Sequence, residues 1–277
     1  GVKCEKAWGD GIEIGPSTNK QFCENVQIVD VHCDQNRRQG ISLLSGRNIE
    51  IVRPKLTNTN GVHPQRGIDI EPFDSSHYIE NIRLINPYTE NNAGGGVLIY
   101  LDGLSGTDRK VSITIQNHYS YQDNSAMNIG AVRGVLSGYI TIERPFWCET
   151  KRGVFIVQNY ASVGPVVQVI EPKLIDVNTV DGLAENLDSA FIIKRESGDS
   201  GTLPMGNVHV IRPMIKSTTG QYRPVNVLFC RDYVAGAVIE KVSLIDPIEV
   251  VSKKEPLWIP AKGIISDQYR TIVYEPD

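Results

Sequence analysis

The sequence predicts an all-β fold: a single-domain right-handed parallel β-helix solenoid of about nine rungs, spanning residues 1–277. Three observations predict it. One short alternating string recurs along the whole chain. A second string, opened by glycine, falls between its copies. No stretch sustains an apolar period of 3.6 residues over three turns, so helices are not expected to carry the fold.

The first string reads Asn25-Val-Gln-Ile-Val-Asp-Val31, Asn48-Ile-Glu-Ile-Val-Arg-Pro54 and Asn81-Ile-Arg-Leu-Ile-Asn-Pro87. Further copies are Ser112-Ile-Thr-Ile-Gln-Asn-His118, Tyr139-Ile-Thr-Ile-Glu-Arg-Pro145 and Val166-Val-Gln-Val-Ile-Glu-Pro172. Asn207-Val-His-Val-Ile-Arg-Pro213 and Lys241-Val-Ser-Leu-Ile-Asp-Pro247 complete the set. The spacing runs from 23 residues (Asn25 to Asn48) to 41 (Val166 to Asn207). Self-similarity on this scale marks a solenoid or array. After the proline or its substitute comes a short run such as Lys55-Leu-Thr57, then a turn, then the glycine string. That string reads Gly11-Ile-Glu-Ile-Gly15, Gly40-Ile-Ser-Leu-Leu44, Gly67-Ile-Asp-Ile-Glu-Pro72, Gly96-Val-Leu-Ile-Tyr100 and Gly153-Val-Phe-Ile-Val157.

Each element follows from this pattern. The strings are short, β-branched and alternating, with Gly, Asn, Asp or Pro between them, as strands require. Three strands per period suit a coil whose rungs stack about 4.8 Å apart. A WD40-type propeller would need longer four-strand units and its own dipeptide, and a leucine-rich repeat its Leu/Asn pattern. Asn58, Asn60, Asn91 and Asn92 fall at turns and read as turn formers with stacked amides. The segment Thr179–Leu187 is expected to make one or two helical turns. Gly1-Val-Lys-Cys4 reads like the middle of a strand with no cap, so the chain is expected to be part of a longer one lacking its N-terminal portion. Trp258–Ile265 reads as a last rung, with Thr271–Asp277 as a cover or a further element.

Composition is that of an ordinary globular protein, 40% hydrophobic and 22% charged. The net charge of −4 speaks against a nucleic-acid partner. No apolar run reaches the roughly 18 residues of a membrane-spanning helix. Five scattered cysteines, with no metal-type spacing, read as unbridged thiols compatible with assembly in a reducing cytosol.

The chemistry gathers on the glycine string. Alternate strand residues share a face, so Ile68 and Ile70 are expected inward, with Asp69 and Glu71 outward and adjacent. Aligning the glycines puts Glu13, Ser42, Asp69 and Leu98 in one outward column and Gly15, Leu44, Glu71 and Tyr100 in the next. Asp10, Gln39, Arg66 and Gly95 precede the glycines. Neighbours two apart on a strand lie about 6.5–7 Å apart, and Glu13 and Asp69, two rungs apart, about 9.6 Å. Paired carboxyls at such separations suit glycoside hydrolysis. Close carboxylates also drive their pKa values apart, which suits one as acid and one as base. Asp69 and Glu71 are thus the expected catalytic pair, with Glu13 as a third carboxylate; surface charge that keeps a solenoid soluble is the alternative reading. Arg37, Arg38 and Arg66, on turns beside them, are candidates for binding an acidic sugar or holding the carboxylates. His63, in the turn Thr59–Pro64, is a candidate proton carrier, and Trp8 and Tyr100 are candidate stacking platforms. Asp10, Glu13, Asp69 and Glu71 also form an oxygen-rich set of the kind Ca²⁺ takes, without its Asp-x-Asp loop spacing. No other cofactor is expected.

These strings, above all Gly9-Asp-Gly-Ile-Glu-Ile-Gly15, Asn36-Arg-Arg-Gln-Gly-Ile-Ser42, Thr59-Asn-Gly61 and Gly67–Pro72, resemble the right-handed β-helix superfamily of pectate lyases, polygalacturonases and phage tailspike depolymerases. The likeness in repeat covers nearly the whole chain; the specific motifs cover residues 8–72. The pattern is most similar to pectate-lyase-like proteins of phage tails and bacteria. It departs from the polygalacturonase motifs, since their Asn-Thr-Asp, paired Asp-Asp, Gly-His-Gly and Arg-x-Lys are not present in that arrangement. The resemblance implies a polysaccharide substrate, a homotrimer, and a virion-tail or extracellular location. It leaves three functions open: a glycoside hydrolase on a bacterial surface glycan, a lyase or epimerase on uronic acids using Arg66 or His63, and a non-catalytic glycan-binding or structural fibre module.

Overall fold

The computed structural model describes residues 1–180, 182–183, 188–196, 198–199, 201–218, 226–231, 238–245, 249–251 and 265–266. The Thr179–Leu187 segment falls partly outside these residues, as do residues 258–264 and the 271–277 tail.

The chain winds into a parallel β-helix of three sheets. A long-stranded sheet begins with Cys23–Val29, Gly46–Val52 and Ile79–Ile85. A short-stranded sheet begins with Lys3–Glu5, His32–Asp34 and Lys55–Thr57. A middle sheet begins with Asp10–Ile14, Gln39–Leu43 and Arg66–Ile70. The described strands number nine, nine and eight respectively. Every strand-to-strand pairing within these sheets is parallel, and each strand pairs with its equivalents one period before and after. Both repeated strings are strands, and the run after the proline is the third. The residues align as the repeats predict: Ile41 sits beside Ile12 and Ile68, and Ile49 beside Val26 and Ile82.

Inward residues build one continuous core. Ile41, Ile68, Ile49, Ile82 and Leu56 are fully buried, and further along Trp147, Phe155 and Phe191 stack through the axis. Corners are made by left-handed residues in register. The residue after each long strand has positive φ at Asp30, Arg53, Asn86, Asn117, Arg144, Glu171 and Arg212. The same holds after short strands at Gln35, Asn58, Asn91, Gln122, Glu149 and Asp176. This backbone costs an ordinary residue about 1–2 kcal/mol. Stacked amides offset it: Asn91 donates to Asn58 at 2.9 Å, Asn117 to Asn86 at 2.8 Å, and Asn81 and Asn48 each to the asparagine one rung back at 2.9 Å. Asn60 only accepts from Gln65, and Asn92 turns inward.

That inward turn belongs to a polar cluster sealed in the core. Asp123 is fully buried, and its carboxylate accepts four hydrogen bonds. Thr89 and Ser120 donate to Oδ2 at 2.6 and 2.7 Å; the Asn92 backbone and side chain donate to Oδ1, each at 2.9 Å. His118 occupies the slot where other repeats carry proline. Trp147 can only donate, and does so to His118 Nδ1 at 3.2 Å, so the ring proton sits on Nε2, 2.9 Å from the Thr89 hydroxyl. Burial pushes His118 down to about 3, so it stays neutral.

Candidate active site

The Arg66–Ile70 strand lies third in the middle sheet. Ile68 and Ile70 are fully buried in the core, so Asp69 projects from the opposite, outer face. Strict alternation would send Arg66 inward with Ile68. Instead its guanidinium reaches Ser125 and Asn128 at 3.2 and 3.1 Å. Gly67 makes the difference. A Cβ there would stand 2.8 Å from the Gly96 carbonyl and 2.9 Å from the Thr89 methyl, both on the core side. The glycine therefore takes an inward position that no larger residue fits, and alternation restarts beside it. Gly11 and Gly40 sit as tightly, at 2.7 and 2.5 Å from the next rung's carbonyl. Asp10, Gln39 and Arg66 thereby join Glu13, Ser42 and Asp69 on one outer face.

Side chains on this face form a linked network. Arg38 grips Asp10 with two bonds, 2.8 and 2.5 Å, and Ser42 donates to the same carboxylate at 2.7 Å. Gln39 is fixed at both ends. Its oxygen accepts from the Arg66 backbone at 2.8 Å, so its amide points at Asp69 and donates to Oδ2 at 2.6 Å. Asp69 is 3% exposed, and its Oδ1 has no partner. The adjacent Arg66 Nε is also buried without one.

Burial pushes the Asp69 carboxyl up to about 8; the Glu71 charge adds to the rise, and Arg66 and Arg38 oppose it. Asp69 therefore holds a proton at neutral pH. Oδ2 accepts from Gln39, which places that proton on the unpartnered Oδ1. The result is an acid with its donor atom uncommitted. Burial also lowers Arg66 to about 10, which leaves it cationic at neutral pH.

The expected site residues do not all converge. Glu71 is half-buried and leaves the strand end beside Leu44, its backbone N–H bonded to Leu43. Glu13 is exposed, with Ser42 standing between it and Asp69. Arg38 feels Asp10, Asp69 and Glu13 together. Arg66 is not on a turn: it opens the strand itself. Arg37 lies over the Trp8 ring at 4.0 Å, so these two pair with each other at the edge of the site. His63 is exposed in its turn. Tyr100 is half-buried, its hydroxyl against Arg133. Among the described residues no three His, Cys, Asp or Glu side chains meet as a metal cage; Asp10 is engaged by Arg38 and Ser42.

The glycine alignment puts Gln39 and Ser42 in columns without giving them a role, and nothing in the repeats singles out Asn128 or Ser125. The glycine alignment was the signal for Gln39: it lies between Asp10 and Arg66 in register.

No protein-family model, curated protein or solved structure matches the chain. Along the solenoid axis the site has a clear end. The column Glu13, Ser42, Asp69 continues as Leu98, Asn128, Ile156 and Ile192. Ile156 and Ile192 pack on each other as a buried pair separate from the main core. Among the described strand residues of this sheet, acidic side chains occur only at Asp10, Glu13 and Asp69.

Proposed function

We propose that this chain cleaves a bacterial surface polysaccharide by glycoside hydrolysis, with Asp69 as general acid and Glu71 as the second carboxylate. The observation that supports it is the Asp69 carboxyl, buried on the outer face, oriented through one oxygen and uncommitted at the other. The proton on Oδ1 passes to the glycosidic oxygen as the bond breaks. Glu71 activates a water from the other side of the sugar ring. Two residues along a strand separate the carboxyls by about 6.5–7 Å at the backbone, within the range of about 6.5–9.5 Å for inverting enzymes. Inversion is the expected outcome. Glu13, about 9.6 Å away across two rungs, is the alternative base. Arg66 and Arg38 stabilise the Asp69 carboxylate once the proton has left.

The resemblance to pectate-lyase-like tailspikes supports the substrate class, and it alone supports a homotrimer at a virion tail or outside the cell. A reducing-sugar assay over a panel of capsule and O-antigen polysaccharides tests the reading. Turnover by the native chain, lost in Asp69→Asn and Glu71→Gln, supports it; full activity in both variants refutes the site. One observation favours a second reading. A buried arginine beside a carboxyl, still cationic at neutral pH, suits neutralising the carboxylate of a uronic acid. A lyase of this kind would release unsaturated products absorbing in the near ultraviolet, which hydrolysis does not. Retention on glycan without turnover would select a binding module.

A further inference from the structure

The loop that follows Glu71 carries Phe73, whose ring is 65% exposed. A single exposed apolar side chain means little by itself. This one stands on an unusually well-fixed pedestal. Asp74 accepts from the backbone of Ser76 through its side chain, at 2.8 Å, and from His77 through its carbonyl, at 3.0 Å. Arg109, just before the Lys110–Gln116 strand, reaches the carbonyls of Ser75 and Ser76, at 3.1 and 3.3 Å. Tyr78, at the loop's end, is held between two guanidinium groups, Arg47 at 3.8 Å and Arg109 at 4.0 Å from its ring. On the other side, Gly103 comes so close that a Cβ would stand 2.4 Å from the Pro72 carbonyl oxygen. The loop is clamped from both flanks, yet Phe73 is left outside. The ring of His77 backs it, edge to face at 4.5 Å, with His77 itself buried. One side of an aromatic ring is thus supported from within the fold and the other offered to solvent, two residues from Glu71.

The opposite end of the same face carries a matching feature. Trp8 is 81% exposed two residues before Asp10, with Arg37 stacked on its ring. Trp8 enters the first middle strand and Phe73 leaves the third. By register, a line between them crosses the strands obliquely near Ser42, the residue paired with Asp69. Rings fixed in this way bind the apolar faces of sugars at little cost in side-chain freedom.

We propose that Phe73 is a sugar-stacking subsite, and that Phe73 and Trp8 mark the two ends of a glycan path running obliquely across the first three rungs. The proposal deepens the hydrolase reading by naming how its substrate lies. It is tested by binding, so its failure is separate from a failure of catalysis. An array of purified bacterial capsule and O-antigen polysaccharides is probed with the Asp69→Asn chain, alone and combined with Phe73→Ala, Phe73→Trp or Trp8→Ala. Retention by Asp69→Asn is expected on at least one polysaccharide. Phe73→Ala and Trp8→Ala are each expected to weaken it at least tenfold, and Phe73→Trp to preserve it. Thermal unfolding of each variant verifies the fold. Undiminished retention in Phe73→Ala, or no retention by the Asp69→Asn chain on any member of the array, overturns the proposal. Retention sensitive to Phe73 in a native chain that turns over no glycan upholds the path while refuting the hydrolase.

Discussion

Asp69 and Asp123 are carboxyls two rungs apart, both shut away from water, and they are held in different ways. Asp123 lies inside the coil with both oxygens saturated by Thr89, Ser120 and Asn92. Asp69 lies on the outer face with one oxygen on Gln39 and the other on nothing. Burial raises the pKa of both. At Asp123 every hydrogen bond offsets that rise by favouring the anion. At Asp69 the neighbouring Glu71 reinforces it. A saturated buried carboxylate ties the structure together, since each donor it serves would otherwise be unpaired. An unsaturated one weakens the structure and retains a proton to give away.

The largest test of this contrast removes the inner carboxylate. Asp123→Ala leaves Thr89, Ser120 and Asn92 without their acceptor, and a loss of about 3–5 kcal/mol in stability by urea unfolding is expected. A loss below about 1 kcal/mol would end the distinction. Removing the outer one should act in the opposite direction. Asp69→Asn is expected to lower turnover by about 10²–10⁴-fold. It should also stabilise the fold by about 1–3 kcal/mol above pH 8, because a buried ionisable group has been exchanged for a neutral one.

The pH dependence sharpens the comparison. Unfolded, Asp69 returns to the ordinary value near 3.9; folded, it stands at about 8. The folded state therefore keeps a proton that the unfolded state releases, and the Asp69 contribution to stability falls as pH rises from about 4 to 8. The stability gap between native and Asp69→Asn chains should widen over that window and level off above it. His118, in the inner cluster, behaves inversely. Its folded value of about 3 lies below the ordinary 6.5, so its contribution is present above about 6.5 and is lost as pH falls toward 3. His118→Gln should reduce that acid-side slope in a urea series across pH.

The smallest effect on stability is expected from Glu71→Gln, within about 0.5 kcal/mol, since Glu71 is half-buried at a strand end. Its effect on the neighbour is the informative part. Loss of the Glu71 charge lowers the Asp69 pKa, so the alkaline limb of any remaining activity should move to lower pH. A limb that stays in place would separate the two carboxyls.

Much of this was legible in the residues. The Asn-Ile-x-Ile and Gly-Ile-x-Ile strings identified two of the three strands in each rung, and the glycine alignment gave the neighbours of Asp69 in register. Asp69 and Glu71 were legible as a pair because Ile68 and Ile70 fix the inward side. Arg66 reads as a turn residue from the sequence because alternation does not reveal the tight inward glycine beside it. Trp8 and Arg37 were read separately, and only their contact shows that one covers the other. His118 and Asp123 carried no signal beyond the missing proline, since apart from Ser120 their partners in the sealed cluster lie 29 to 34 residues away.

By itself, then, the sequence determined the coil, the rung register and the face of the strand residues on the far side of each glycine, from Ile68 to Ile70 in the third rung. These follow from period-two sterics and from repeats that must stack on their own equivalents. Only the tertiary structure decided which of the acidic residues is buried with an oxygen left unpartnered. That depends on how many hydrogen bonds and how much water each carboxyl has left once the rungs close over it, and both are set by side chains from other turns of the helix.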